Sequence, residues 1–412
     1  MKFDTLVLGG GMVGVSIAVH LQKRGLSVAL VDRKAPGNET SLGNAGLIQR
    51  EGVYPYALPR DVATLARYAR NRSPDVRYHP RAMPSVMPFL YRYWHHSRAD
   101  RHAAIARAYS TLIEHCVSEH RALVEASGAQ ALLRTGGWLK VFRSAHKHDA
   151  EMRVAEQWRT QYGVGFDALD AAQLQRDEPS LSHALIGALR YTDADSVSDP
   201  NALVTAYARY FEKLGGRIFI GDATTLEPGW SVSTEAGRID AHSAVIALGP
   251  WSDVVTSRLG YRLPLAVKRG YHMHYAAQEG ARLNQPVLDA EIGYMMTPMA
   301  RGIRLTTGAE LGYRDAPATP VQLEAIEPIA RETFPLGKRL DEQPWLGRRP
   351  CTPDMMPIIG PAKRHKDLWF AFGHAHHGLT LGPVTGRLLA EMMVGAEPVA
   401  DPFPFRADRF SS

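Results

Sequence analysis

The spacing of apolar positions changes several times along the chain, and each change marks an element. Phe3 to Leu8 is a short apolar run that opens onto Gly9, Gly10, Gly11 and Gly14. Met12 to Arg24 then keeps helical periodicity until Gly25, and Val28 to Val31 is a second apolar run. This predicts a strand, turn, helix, strand unit. Residues 58 to 125 read as helical, with Ile105, Tyr109, Leu112, Cys116 and Leu123 keeping one apolar face. Strand-like pieces follow at Gly137 to Phe142 and Ala188 to Tyr191. A helix is predicted from Ala202 to Leu214, closed by Gly215 and Gly216, and buried strands at Ile218 to Ile220 and Ala244 to Ala247. Strict alternation at Tyr271 to Tyr275, Tyr294 to Thr297 and Ile303 to Thr307 points to an antiparallel sheet in a separate layer, and a last helix is predicted from Pro383 to Met393.

The interleaving of these patterns implies an α/β fold with a discontinuous, Rossmann-like nucleotide domain (1–57, 198–262 and 346–412). A second α+β domain (58–197 and 263–345), built on the antiparallel sheet with a helical insertion, is expected to hold the substrate.

Composition narrows the class. In 412 residues, 45% hydrophobic and 22% charged positions describe an ordinary globular chain. A net charge of +6 lacks the dense basic field of a nucleic-acid binder, and two cysteines, Cys116 and Cys351, build neither a disulfide framework nor a zinc site. The apolar start is too interrupted by glycine for a signal peptide, and no stretch reaches the length of a membrane span. A soluble chain in a reducing, cytoplasmic compartment is expected.

Gly9, Gly11 and Gly14 form GxGxxG between a strand and a helix, and Asp32 closes the next strand. Gly9 permits the tight turn, Gly11 lets a pyrophosphate approach the backbone, and Gly14 lets the helix pack on the strands. The N–H groups at the start of the helix, around Met12 and Val13, face the phosphates, and Asp32, followed by Arg33, accepts from a ribose diol. This cradle takes the ADP half of either FAD or NAD.

Further motifs separate the two. The runs Glu39 to Gly46 (ETSLGNAG), Ala247 to Ser252 (ALGPWS), Arg348 to Gly360 (RRPCTPDMMPIIG) and Gly373 to Thr380 (GHAHHGLT), with the closing Asp408, Arg409 and Phe410, resemble the D-amino-acid oxidase superfamily of flavoproteins. The resemblance spans nearly the whole chain and is nearest to its bacterial D-amino-acid dehydrogenase branch, with likeness also to glyphosate oxidoreductase and glycine oxidase. It implies non-covalent FAD. Ser41, Asn44, Ala45 and Gly46 are expected beside the flavin, Thr224 and Gly249 among its contacts, and backbone groups of Gly378, Leu379 and Thr380 at the pyrimidine ring, where a helix start stabilises negative charge. The superfamily usually has Glu where Asp32 stands; the shorter acid still serves a diol.

By the same resemblance, Arg349 clamps a substrate carboxylate, with Arg348 as its neighbouring rival, Tyr294 faces the substrate, and His376 is a second carboxylate-facing base or cation. Tyr271 and His272 join them as candidate lining of the side-chain pocket. Cys351, which matches the covalent flavin link of sarcosine-oxidase relatives, is expected to be a buried inert thiol. His272, His274, His374, His376 and His377 are expected to be core or flavin-site histidines, not metal ligands.

The implied reaction is oxidation of the amine carbon of a D-amino acid to an imino acid by hydride transfer to flavin N5, then hydrolysis to a 2-oxo acid and ammonia. The alternatives are a secondary amine or imino acid of the sarcosine, glycine, D-hydroxyproline or aminophosphonate type and, in another class, NAD(P)-dependent dehydrogenation. Oxygen or a quinone takes the electrons. Ten arginines from Arg60 to Arg107, interleaved with Tyr68, Tyr78, Phe89, Tyr91, Tyr93 and Trp94, suggest peripheral contact with the inner face of a bacterial plasma membrane.

Overall fold

Lys2–Leu8 is central to a seven-stranded sheet, parallel to Val28–Asp32 on one side and to Gly237–Ile246 on the other. Beyond Val28–Asp32 lies the start of Arg217–Glu227; beyond Gly237–Ile246 lie Leu368–Phe372 and the antiparallel edge strand Ile358–Pro361. Ser231–Thr234 links Arg217–Glu227 to Gly237–Ile246 in an antiparallel meander. Leu6, Val7, Leu8, Leu30 and Val31 are fully buried, as continuous apolar runs in a covered parallel sheet require. The computed structural model describes residues 1–410.

The second sheet has eleven strands, and its spine is Ala266–Ala277, the strand expected at Tyr271 to Tyr275. Alternation divides this spine. Arg269, Tyr271, Met273 and Tyr275 are buried on one face, the latter three in a core with Leu323, Ile326 and Ala330 of the helix Val321–Thr333. Lys268, Gly270, His272 and His274 take the opposite face. Trp345–Cys351 pairs antiparallel with the spine, setting Lys268 opposite Arg349 and Gly270 opposite Gly347.

The helical segment forms Val62–Ala69, Met83–His96, Ala99–Ile113 and Cys116–Ser127, with Ile105, Tyr109, Leu112, Cys116 and Leu123 buried as the spacing predicts. The last helix departs from expectation. It runs Gly378–Val394, so Pro383 lies inside it and not at its start. Proline has no N–H to give the carbonyl four residues back, which ought to end the helix there. That carbonyl is Leu379 O, and the buried His120 donates to it from Nε2 at 2.7 Å. A neighbouring helix thus supplies the hydrogen bond that the sequence lacks. Burial pushes the His120 pKa down to about 4, so the ring acts as a neutral donor.

His120→Ala is expected to lower stability by about 1–3 kcal/mol, the cost of stranding a buried carbonyl. In a Pro383→Ala background the loss should shrink, because the new Ala N–H can take Leu379 O. Chemical denaturation of the four proteins of this cycle checks it. Equal losses in both backgrounds would mean that His120 serves some other group.

Candidate functional site

A cavity of about 1060 Å³ runs between the two sheets, from Gly9, Gly11 and Asp32 at one end to Arg349 and His376 at the other. Its first end is built by close approach. A Cβ on Gly14 would collide with Gly9 O, and one on Gly9 (φ +116°) with Ala247 O, so neither site accepts a side chain. The helix Met12–Lys23 therefore starts directly over the strand end. Its Met12 N–H donates to Ser41 Oγ at 3.0 Å, and the next N–H groups have no acceptor within the helix. Asp32 Oδ2 accepts from Gly10 N at 2.6 Å and Oδ1 from Lys34 N at 3.1 Å, which fixes the carboxylate at the cavity wall. A glycine-lined helix start with an acid at the adjoining strand end fits the pyrophosphate and ribose of FAD. FAD bound here would extend toward Ser41, Asn44 and Ala45 and toward Gly378 and Leu379, all of which line the same cavity.

Most of the expected residues are thus brought together: Met12, Val13, Arg33, Thr224, Gly249, Tyr271, Arg349 and His376 also line this space. Others are not. Gly14 and Gly46 support the wall from behind, Gly46 through its N–H to Asn44 Oδ1 at 2.8 Å. Thr380 turns its hydroxyl away, donating to Leu47 O at 3.1 Å and accepting from Gln49 N at 3.3 Å, so it ties the last helix to the loop after the flavin-side segment.

Tyr294 is fully buried, with its hydroxyl 2.6 Å from Thr333 Oγ1. It precedes the strand Met295–Met299, in which alternation gives the cavity to Met295. Tyr271 borders the cavity, but its hydroxyl donates to Glu310 Oε2 at 2.9 Å and accepts from Thr319 N at 2.7 Å, away from any substrate. His272, on the other face of the spine, stacks on Trp345 with centroids 5.0 Å apart.

The far end is electrostatically lopsided. Arg349 donates to three backbone carbonyls, Arg269 O at 3.3 Å, Gly308 O at 2.9 Å and Thr307 O at 3.3 Å, and to no carboxylate. Arg348, half-buried on the alternate face of the strand, lines the cavity too, and donates to Arg314 O at 2.8 Å with Asp315 3.9 Å away. Arg348 turns toward Trp251, its guanidinium 5.8 Å from that ring, so Arg349 is the guanidinium beside His376, with its Nε–H and one Nη2 hydrogen left without a protein acceptor. His376 stands edge-on to the exposed Tyr56, centroids 4.3 Å apart, and equally close to His377. Burial first, then His377, Arg349 and Lys268, hold its pKa well below the usual imidazole value, so it is neutral and not a cation. Its neighbours are occupied: His377 Nδ1 with Tyr109 OH at 2.7 Å, His374 Nε2 with Thr385 Oγ1 at 3.0 Å. Cys351 is buried, does not line the cavity, and has its thiol pushed up by burial.

Lys268 was not among the expected site residues, yet it lines the cavity beside Arg349. Its signal was present in the sequence, because alternation places it opposite in phase to Tyr271, Met273 and Tyr275.

Comparison with known proteins agrees with this geometry. Residues 4–392 match the family described as DAO, FAD dependent oxidoreductase. A D-amino-acid oxidase of Bradyrhizobium diazoefficiens is 30% identical over 98% of this chain and 98% of its own length. A D-amino acid dehydrogenase of Chromohalobacter salexigens is 29% identical over 99% and 100%. Among solved structures, the L-amino acid deaminase from Proteus vulgaris shares the fold at a TM-score of 0.75 with 20% identity, covering 99% of this chain and 97% of the other. FAD, and not NAD(P), is thereby the cofactor, and the chain belongs to the DAO family of FAD-dependent oxidoreductases.

Proposed function

We propose that the chain oxidises the amine carbon of a D-amino acid, giving an imino acid that hydrolyses to a 2-oxo acid and ammonia. The observation that carries this reading is Arg349, a half-buried guanidinium at the cavity wall, aimed by three carbonyls and left without a carboxylate. A planar fork with free donors suits a substrate carboxylate. The D-hand is carried over from the names of the two relatives; the fold itself is shared with an L-amino acid deaminase and does not decide it.

FAD, when bound, supplies the acceptor for the α-hydrogen and its electron pair. The chain itself provides placement. Arg349 fixes the carboxylate, the start of the helix Gly378–Val394 presents N–H groups and the positive end of its dipole to the cavity, and neutral His376 adds no charge beside the amine. The amine must be unprotonated so that its lone pair can form the C=N bond as the α-hydrogen leaves with the C–H electron pair. Cys351 is off the cavity wall, which supports FAD held without a covalent bond.

Purified protein is expected to be yellow, to release its flavin on acid precipitation, and to bleach anaerobically with at least one D-amino acid but not with its L-partner. Arg349→Lys should retain flavin and lose about 2–4 kcal/mol in kcat/KM. The kcat/KM should rise with pH as the substrate ammonium loses its proton, with no break near the usual imidazole value from His376, whose pKa burial holds well below it. Bleaching by L-amino acids alone would overturn the hand, and intact turnover in Arg349→Ala would overturn the clamp.

For the acceptor we infer a quinone reached at a membrane surface. Val62, Tyr91 and Met87 are 81%, 66% and 51% exposed on the helices Val62–Ala69 and Met83–His96, among the arginines of the same segment. The same helices send Leu65 and Leu90 to the cavity wall. An apolar, arginine-flanked face suits a bilayer with anionic headgroups, and no helix among the described residues is long and apolar enough to cross it. The holoenzyme should sediment with phosphatidylglycerol vesicles more than with phosphatidylcholine ones, less so in high salt. A soluble quinone should outpace oxygen in initial rate; stoichiometric peroxide at full rate would reverse this.

A further inference from the structure

The substrate end of the cavity holds two cations, and one carboxylate occupies only one of them. Lys268 and Arg349 are direct cross-strand partners on adjacent antiparallel strands, so their side chains leave the same face of the sheet, and both line the cavity. Like charges placed opposite each other destabilise a sheet unless an anion compensates them. None does so from the protein: among the described residues, neither cation makes a salt bridge with Asp or Glu. Acids that line the same cavity are committed elsewhere, among them Asp75 to Arg67, Glu151 to Lys140 and Asp289 to Arg143.

The two charged heads also diverge. Arg349 leans along the spine toward Gly270, where an added Cβ would stand 2.5 Å from the guanidinium, and on to Thr307 and Gly308. Lys268 leans the other way, toward the Cys351 end, with its ammonium 4.0 Å from the centre of the Tyr93 ring and 3.9 Å from Met355 Sδ. Two anion positions result, separated along one wall. Burial pushes the Lys268 amine down to about 8, which still leaves it mostly protonated at neutral pH.

We propose that the substrate is an amino acid carrying a second, distal anionic group, and that Lys268 selects it by holding that group while Arg349 holds the α-carboxylate. This rests on the amino-acid reading above. A carboxylate or a phosphonate supplies the same distal charge, as D-glutamate and D-2-amino-4-phosphonobutyrate do.

The test compares charged and neutral isosteres on the holoenzyme. D-Glutamate should exceed D-glutamine, and D-aspartate exceed D-asparagine, by at least about tenfold in kcat/KM. D-2-amino-4-phosphonobutyrate, run in parallel, tells phosphonate from carboxylate. Lys268→Met should retain flavin and collapse these ratios toward one, with Lys268→Arg restoring some of the preference. Calorimetry gives a reading free of turnover: glutarate should bind wild type at least about tenfold tighter than butyrate, and Lys268→Met should erase the difference. A wild type that favours the neutral isosteres overturns the inference. So does a Lys268→Met that weakens glutarate and butyrate equally, since both cations would then share one carboxylate. Should no D-amino acid be oxidised while glutarate still binds through Lys268, the reaction assigned above fails and the two-anion site stands. If Lys268→Met does not fold, the wild-type ratios decide.

Discussion

The helix Met12–Lys23 lies against the helix Gly378–Val394 at a distance that only glycine allows, and the geometry of the cavity follows from that contact. A Cβ on Gly386 would sit 2.6 Å from the carbonyl carbon of Ser16, and one on Gly382 would strike the Met12 side chain. The first helix is in turn pressed onto the first strand through Gly14 and Gly9. Strand, first helix and last helix are thus stacked in near van der Waals contact, although the two helices come from opposite ends of the chain. The consequence is electrostatic. Two helix starts open on one cavity, at Gly11–Val13 and at Gly378–Leu379. Each brings unpaired N–H groups and a positive dipole end. A cofactor with a pyrophosphate in its middle and a ring that turns negative on reduction is matched at both places.

The formal charges follow the same logic. Histidines are plentiful around the substrate end, but burial holds His374, His376 and His377 below the usual imidazole range, so they serve as hydrogen-bonding or packing groups. Positive charge is left to Arg349 and Lys268. The buried His120, on a helix packed behind the cavity wall, is neutral in the same way and completes the carbonyl that Pro383 leaves open. The last helix therefore begins early enough for Gly378 and Leu379 to reach the cavity.

What was legible in the sequence was whatever local spacing dictates. The turn from Leu8 to Gly14, the acid at the end of Val28–Asp32 and the motif positions of Arg349 and His376 fall where expected, because each depends on a few consecutive residues. Tyr294 and Thr380 carry suitable chemistry, but their side chains follow the phase of a strand or the far side of a helix, and both hydroxyls are spent on structural partners. Phase itself could have been read: Met295 in place of Tyr294, and Lys268 in place of Tyr271. The start of the last helix could not, because its missing hydrogen bond comes from a residue more than two hundred and fifty positions away.

The site is held at the seam of two sheets, so its two halves must be fixed to each other. The joints lie on the flavin side. Thr40 donates to Arg348 O at 3.2 Å, Arg304 donates to Leu42 O at 3.0 Å, and Gly43 passes so close to the Trp345 ring that a methyl there would overlap it. Trp345, Arg348 and Arg349 belong to one strand, whose register on the spine puts Arg349 opposite Lys268. A slip of that strand by one residue would exchange its faces and take Arg349 away from Lys268 and His376. Two of these contacts, through Arg348 O and the Trp345 ring, seat the Thr40–Asn44 loop beside the expected flavin site from the same strand that carries Arg349. The spacing between that loop and the Arg349 guanidinium is therefore set in large part by covalent spacing along one strand, as a site that must hold its groups to a fraction of an ångström requires.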